Sequence, residues 1–327
     1  MNKINTFSTR SLLTMAIGTL GVALFGGAHF ASALLGAEKG AHGTGSEWGI
    51  ERRLDLVKGG TFQFSVPVGS VVIENHKEAH VEYLGEFKAK SKREADRLFP
   101  LIEELSSTKG NQTELVFQWK NKKSPRKSNL SGKHLIRLPQ GVDIEIRTAG
   151  GSIVVADRIG AVTLKSSGGS LRLGKVDGMV AALTSGGSIS VGHCNGDASL
   201  KTSGGSIKAG NVNGSLSAQT SGGKISIGSV SGHLDAKTSG GSINARLENQ
   251  IQRPVSLMTS GGSISLVVNP NFKAVLDAKT SGGRVICDLP LEVSGKFSKR
   301  AIEGAVNGGG PKITMKTSGG NIVLKKM

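Results

Sequence analysis

From residue 150 onward the chain keeps returning to one phrase, a Ser or Thr-Ser followed by two glycines, with Ala149 standing in for the serine once. The doublets fall at Gly150-Gly151, Gly168-Gly169, Gly186-Gly187, Gly204-Gly205, Gly222-Gly223 and Gly240-Gly241, an interval of 18 residues each time. Three more follow at Gly261-Gly262, Gly282-Gly283 and Gly319-Gly320, after intervals of 21, 21 and 37 residues. A fixed period of this length points to a solenoid. Each repeat is one small unit that buries its apolar face only by stacking on its neighbours.

Inside each unit the side chains alternate with period two, the spacing of a half-buried strand. After the doublet the inward places are Ile153 and Val155, Leu171 and Leu173, Ile189 and Val191, Ile207 and Ala209, Ile225 and Ile227, Ile264 and Leu266, Ile322 and Leu324. Before it they are pairs such as Val162 and Leu164, Val180 and Ala182, or Leu216 and Ala218. Between the strands runs a turn of form G-x-V-x-G, as in Gly174 to Gly178, where glycine supplies positive φ angles. Two strands and two corners in 18 residues predict one coil of a flattened β-helix. A single-layer meander would leave its apolar face in water, whereas coiling sets the two inward faces against each other. The fold class expected is therefore all-β, a β-solenoid of about 18 residues per coil, spanning 143–327, with a small N-terminal α+β cap. The three-residue lengthenings are expected to be corner bulges, and the interval of 37 a degenerate coil across "LEVSGKFSKRAIEGAVNGGG". The two cysteines, Cys194 and Cys287, take inward places five doublets apart. At about 4.8 Å per coil that is roughly 24 Å, too far for a disulfide, so both are expected as free core thiols.

The rest of the chain is organised differently. Residues 1–33 have the pattern of an export signal, with Lys3 and Arg10 before an apolar run from Leu12 to Phe25 and a small-residue site at Ala31-Ser32-Ala33. The same stretch, apolar to Leu35, is long enough to serve instead as an uncleaved anchor. Residues 34–48 are a linker and 49–142 the cap, with strands in 59–76, 78–90, 115–120 and 134–138. A helix is expected from Ser91 to about Leu105, where Ser91 and Glu94 have capping-box spacing and Pro100 kinks or shortens it.

The order of export signal, "GGTFQFSVPVGSVVI" strands and tandem "TSGG" units ending in "KTSGGNIVLKK" resembles the bacterial putative-adhesin family of envelope β-repeat proteins, the toastrack type. That resemblance implies an exported, envelope-associated β-repeat protein with adhesive roles and no catalytic residues to carry over. The basic stretch 120–133 is not part of the family pattern.

No catalytic motif occurs in the sequence. None of the doublets sits in a P-loop or dinucleotide-binding context. The turns lack the aspartates of calcium-binding β-rolls, and the seven histidines have no zinc spacing, so neither cofactor nor metal is expected. Lysine plus arginine exceed aspartate plus glutamate by 41 to 24, a net charge of +17 that suits anionic partners or simply keeps a long β-protein soluble. Two basic surfaces stand out. One is a row of outward residues beside the Thr or Ser of each unit: Arg147, Lys165, Lys201, Lys237, Lys279 and Lys316, interrupted by Leu183, Gln219 and Met258. The other is the segment carrying Lys120, Lys122, Lys123, Arg126 and Lys127. Stacking aromatics are absent from both, so no specific nucleic-acid partner is expected, and the membrane is reached only through the N-terminal segment. The outward serines Ser152, Ser170, Ser188, Ser206, Ser242 and Ser263 form a further column, a hydroxyl array like those of ice-binding solenoids. These features predict an exported, non-enzymatic adhesin-like or scaffold module that contacts an anionic envelope or extracellular polymer, or envelope proteins. The rival reading is a β-helix enzyme acting on an acidic polysaccharide through Asp235 and Asp277, two outward carboxylates placed two coils apart.

Overall fold

The structure is a computed structural model that describes residues 45–120, 125 and 128–327. The expected export segment, and Lys122, Lys123, Arg126 and Lys127, lie outside the described residues.

The chain forms two long β-sheets whose apolar faces meet in a single core. Strands that precede a glycine doublet make the front sheet, and strands that follow one make the back sheet. In spatial order the coils pair front and back strands as follows: coil 1, Gln112–Trp119 with Leu130–Leu138; coil 2, Thr61–Val66 with Ser70–Asn75; coil 3, Asp143–Thr148 with Ile153–Val155; coil 4, Val162–Ser166 with Leu171–Asp177. Coils 5 to 8 follow in sequence order, from Val180–Leu183 with Ile189–Cys194 to Leu234–Lys237 with Ile243–Leu247. Coil 9 is Val255–Met258 with Ile264–Val268, coil 10 is Lys312–Thr317 with Ile322–Lys326, and coil 11 is Ala274–Thr280 with Val285–Cys287. All of these strands pair in parallel and without register slip, so like residue stacks on like. Leu171 pairs with Ile153 and Ile189, and Ile189 with Ile207. The inward isoleucines and leucines of this column are at most 1 % exposed from Ile153 to Ile322, and each such burial stabilises the stack by about 1.5–3 kcal/mol.

The Thr-Ser-Gly-Gly phrase is the joint between coils. From Thr184 onward each buried Thr Oγ1 donates to the carbonyl of the second doublet glycine of the adjacent coil, at 2.8–2.9 Å, as Thr202 does to Gly187 and Thr238 to Gly223, and Thr148 donates likewise to Gly69. In most corners the same hydroxyl accepts from the backbone N–H of its own second glycine, as from Gly205 at 3.4 Å. The following serine Oγ accepts from the backbone N–H of its counterpart one coil on, at 3.1–3.3 Å, as Ser188 does from Ser206. The serine column is thus committed to the ladder. The doublet glycines do not have positive φ; among the coil glycines it occurs at Gly69, Gly160 and Gly178, so of the G-x-V-x-G turns the one at Gly174 to Gly178 uses the freedom expected there. What the second glycine provides is close approach. A Cβ on Gly205 would lie 2.0 Å from the carbonyl oxygen of Gly187, and the other second glycines are similarly crowded.

The order of coils departs from sequence order at both ends. At the C-terminal end the interval of 37 residues is not a degenerate coil. Residues Leu291–Ser298 and Ala301–Val306 form a hairpin that adds antiparallel to Ala274–Thr280 on the front sheet, and the next strand pair inserts between coils 9 and 11. Cys194 and Cys287 are consequently six strands apart, about 29 Å, rather than five. Cys194 is fully buried as expected, but Cys287, on the last back strand, is only half-buried. The two lengthened turns carry Ile251 and Phe272, each at most 2 % exposed, into the core.

At the N-terminal end, strands expected to belong to the cap are coils of the stack. Antiparallel strands close this end: His80–Ala89 and Glu47–Asp55 on the back sheet, and Ile102–Lys109 on the front. Ser91 caps a helix as expected, accepting from the N–H of Glu94 at 3.3 Å, but the helix spans only Lys92–Leu98. Pro100 sits in a single 3-10 turn, and the chain then becomes the strand that the longer helix was expected to occupy. Among the described residues no helix is long and apolar enough to cross a membrane.

Candidate binding surfaces

The predicted basic row exists in strict register on the outer face of the front sheet. Its order is Arg147, Lys165, Leu183, Lys201, Gln219, Lys237, Met258, Lys316, Lys279, with the last two exchanged by the inserted coil. The neighbouring outward column, two residues earlier on the same strands, carries acids at both ends of the row. Glu145 pairs with Arg147 and, at 3.7 Å, with Lys165. Asp235 pairs with Lys237 at 2.9 Å. Asp277 lies 3.1 Å from Lys279 and 3.6 Å from Lys316, and Glu303 of the hairpin lies 2.6 Å from Lys279. Glu303 and Asp277 raise the Lys279 pKa. Partial burial pulls the Asp277 carboxyl up, yet Lys279 and then Lys316 outweigh it and hold the group below the ordinary carboxylate range. Lys201 is the one member of the row without an ion pair among the described residues. Lys120 is exposed.

The carboxylates of the enzymatic reading are brought no closer. Asp235 pairs in register with Ser256, Ser256 with Thr314, and Thr314 with Asp277. They are three strand spacings apart, about 14 Å, not two coils. A glycosidase pair needs about 5–9.5 Å. A carboxyl held ionised by two lysines is also a poor general acid.

The outer face of the back sheet was not singled out by the sequence. Its central column runs Val154, Arg172, Ser190, Lys208, Ser226, Asn244, Ser265, Val323, Ile286. Lys175 flanks it in register with His193, and Lys224 occupies the place held by serine in most coils. Arg172, Lys175, Lys208 and Lys224 are all exposed. In coils 3 to 11 the carboxylate on these back strands is Asp177, at the end of coil 4. Asp157, Glu248 and Asp288 lie just past the strands of coils 3, 8 and 11, Glu248 3.7 Å from Arg246 and Asp157 accepting from the backbone N–H of Lys175 at 2.6 Å, while Glu74 of coil 2 pairs with Arg137. The signal that could have found this face is the absence of any acid at the place two residues after the doublet's Ser, in every coil.

Two polar groups are buried in the N-terminal coils. His134 Nε2 lies 3.0 Å from the Val68 carbonyl and must be its donor, which leaves Nδ1 to accept from the Tyr83 hydroxyl at 3.0 Å. Burial lowers the His134 pKa to about 4 and drives that of Tyr83 well up. Arg158, 2 % exposed, takes the inward corner place held by Val176 and Cys194 in the next coils and donates to the carbonyls of Val142 and Pro139. Burial lowers its pKa to about 10. His134 binds backbone at the corner of coil 2 and Arg158 binds it where the chain steps from coil 1 to coil 3, which makes both structural. Among the described residues no three metal-ligating side chains cluster.

A comparison with curated proteins finds no match. Solved structures similar to this chain include a "putative adhesin" from Bacteroides fragilis, 15% identical, covering 86% of this chain and 97% of that one with a TM-score of 0.40. A "putative cell adhesion protein" from Clostridium sporogenes is 12% identical, covering 86% and 100% with a TM-score of 0.23. A "putative lipid binding protein" from Parabacteroides distasonis is 11% identical, covering 85% and 97% with a TM-score of 0.30. The family model of the toastrack domain DUF4097 matches residues 69–325, from the corner of coil 2 to the end of coil 10. The chain belongs to the toastrack DUF4097 family.

Proposed function

We propose that this protein is an exported, non-enzymatic module of the cell envelope, adhesin-like or scaffolding, that binds anionic polymers through the cationic faces of its solenoid. The observation that carries the reading is the combination of a net charge of +17 with a stack of eleven coils in unbroken register, whose outward row from Arg147 to Lys279 crosses nine coils, about 38 Å. Such a surface needs no pocket. Its contacts are many and individually weak, so the stiffness of the stack matters, because side chains on a rigid frame lose little freedom when a polymer settles on them.

The enzymatic alternative has no supporting geometry in Asp235 and Asp277, and a joint built from Thr, Ser and Gly offers no nucleophile with a base beside it. Cell fractionation followed by mass spectrometry of the mature N-terminus tests the export half of the reading. Recovery in the cytoplasm with residues 1–33 attached would overturn it. Cosedimentation with polygalacturonate against neutral dextran tests the binding half: binding to the first that weakens with salt is the expected result, and equal binding to both, or release of shortened product, would refute it.

A further inference from the structure

We infer that the polymer lies on the back sheet, along the column of Arg172, Lys208 and their neighbours, and that its occupant is a linear acidic polysaccharide. This rests on the proposed anionic-polymer function and deepens it by assigning the face and the class of polymer.

The two outer faces carry similar numbers of cations but differ in what those cations face. On the front sheet an approaching polyanion must compete with Glu145, Asp235, Asp277 and Glu303, which already pair with five members of the row. Exposed ion pairs are weak, on the order of 0–1 kcal/mol, but the acids also repel a second anion, and a repulsive neighbour works against binding as directly as a missing cation. On the back sheet Arg172, Lys175, Lys208 and Lys224 have no ion-pair partner among the described residues. With the Asn244 amide turned so that both of its groups are satisfied, its oxygen accepts from Lys224 Nζ at 2.9 Å. Arg172 and Lys208 stand two strand spacings apart, roughly 9–10 Å, with Ser190 between them.

The interleaved residues favour a sugar polymer. Ser190, Ser226, Asn244 and Ser265 alternate with or extend the cations along one column and offer hydroxyl and amide groups to hydroxyl-rich rings. Bases would need aromatic platforms, and no Phe, Tyr or Trp projects from this part of the face. A lipid surface would favour exposed apolar side chains among the cations. Among the described back-sheet strands the exposed large apolar residues are Ile286, at the far end of the column in coil 11, and Ile159, at the corner of coil 3, and neither lies in the column between Arg172 and Ser265.

The test uses the full chain and two triple variants that remove the same charge with residues the repeat already tolerates. Arg172→Ser, Lys208→Ser and Lys224→Ser alter the back sheet, where serine fills the matching places. Lys165→Gln, Lys201→Gln and Lys237→Gln alter the front, where Gln219 does. Affinity for polygalacturonate is measured at low salt, with phosphatidylglycerol vesicles as a second probe. The back-sheet variant should lose at least about tenfold, and the front-sheet variant no more than about threefold. Equal losses, or a larger loss from the front-sheet variant, overturn the assignment of the face while leaving the anionic-polymer function standing. Vesicle binding without polygalacturonate binding by the unaltered chain overturns the polymer class. No binding to either probe overturns the function itself. Unchanged circular dichroism and melting of both variants excludes a folding defect as the cause.

Discussion

The two glycines of one doublet should respond in opposite ways to the same methyl group. At Gly205 a Cβ would lie 2.0 Å from the Gly187 oxygen and 2.4 Å from the Gly187 carbonyl carbon, all of it backbone held in the ladder. Restoring an ordinary contact of about 3.4 Å requires the coils to part by more than an ångström at a spacing of about 4.8 Å. That strains the bond from Thr202 to Gly187 and the bond from Gly205 N–H to Thr202. Overpacking of about 1–3 kcal/mol plus the partial loss of one or two hydrogen bonds of about 1 kcal/mol gives a cost of about 2–4 kcal/mol. At Gly204 the nearest atom to a Cβ is the Gly186 oxygen at 3.4 Å, an ordinary contact, and the backbone is not left-handed. Gly204→Ala should therefore be neutral or stabilise by up to about 1 kcal/mol, because alanine restricts the unfolded chain. Thermal melts followed by circular dichroism should show Gly205→Ala lowering Tm by about 4–16 °C, at roughly 2–4 °C per kcal/mol for a chain of this size, and Gly204→Ala leaving it within about 3 °C. Equal shifts at the two positions would refute the close-approach account of the repeat.

Replacing the joint hydroxyl should be nearly as costly: Thr202→Val strands the Gly187 carbonyl and should lose about 1–3 kcal/mol in urea denaturation, whereas Thr202→Ser, the residue found at Ser166, should lose far less. Acid should destabilise the N-terminal coils through His134. Its folded pKa of about 4 lies below the unfolded value near 6.5, so between those values the unfolded chain takes up a proton that the native state refuses, and stability falls by about 3 kcal/mol as pH drops through that window. Denaturation midpoints from pH 7 to 4 should show this slope in the unaltered chain and a flatter one in His134→Gln. Burial raises the thiol pKa of both cysteines, so native protein should react slowly with a thiol reagent, with half-buried Cys287 modified well before Cys194 and no bond between them under oxidation.

The period and the alternation of small and branched residues made the coil legible in the sequence. The inward places read from "TSGGSI" units are the places the core uses, and the lysine row falls in the register the repeat implies. Coil order was not legible, because "KTSGGNIVLKK" fits equally well beside coil 9 or beyond coil 11. The choice is made by Ala301–Val306, whose alternation reads the same in a coil strand and in an antiparallel one. The strand Ile102–Lys109 was hidden by a helix start that is real and a helix end that Pro100 brings forward. At the candidate surface, Asp235 and Asp277 were legible as outward acids of one column but read as a catalytic pair, and Glu145 was not singled out. Only with period two taken together with the register do they become the partners of the row.

The chain places one coil out of turn at each end of the stack, and antiparallel strands form three of the four sheet edges, the fourth being Val285–Cys287. At the C-terminal end it skips a slot, builds coil 11, turns through the hairpin, and returns to fill the slot, so that Lys312–Thr317 and Ile322–Lys326 are each bonded on both sides. At the N-terminal end coil 2 precedes coil 1 in sequence, and the chain then steps over coil 2 to begin coil 3. The outermost front strand, Leu291–Ser298, is blunted by Lys296 and by a register shift between Val293 and Phe297, two devices that discourage a further strand from pairing. Of the two outer faces, the back sheet carries its central cations Arg172 and Lys208 without an ion pair among the described residues, whereas five members of the front row are paired. For the function proposed above, antiparallel strands at three of the four sheet edges and unpaired cations along one face suit a polymer held lengthwise better than growth by addition of strands.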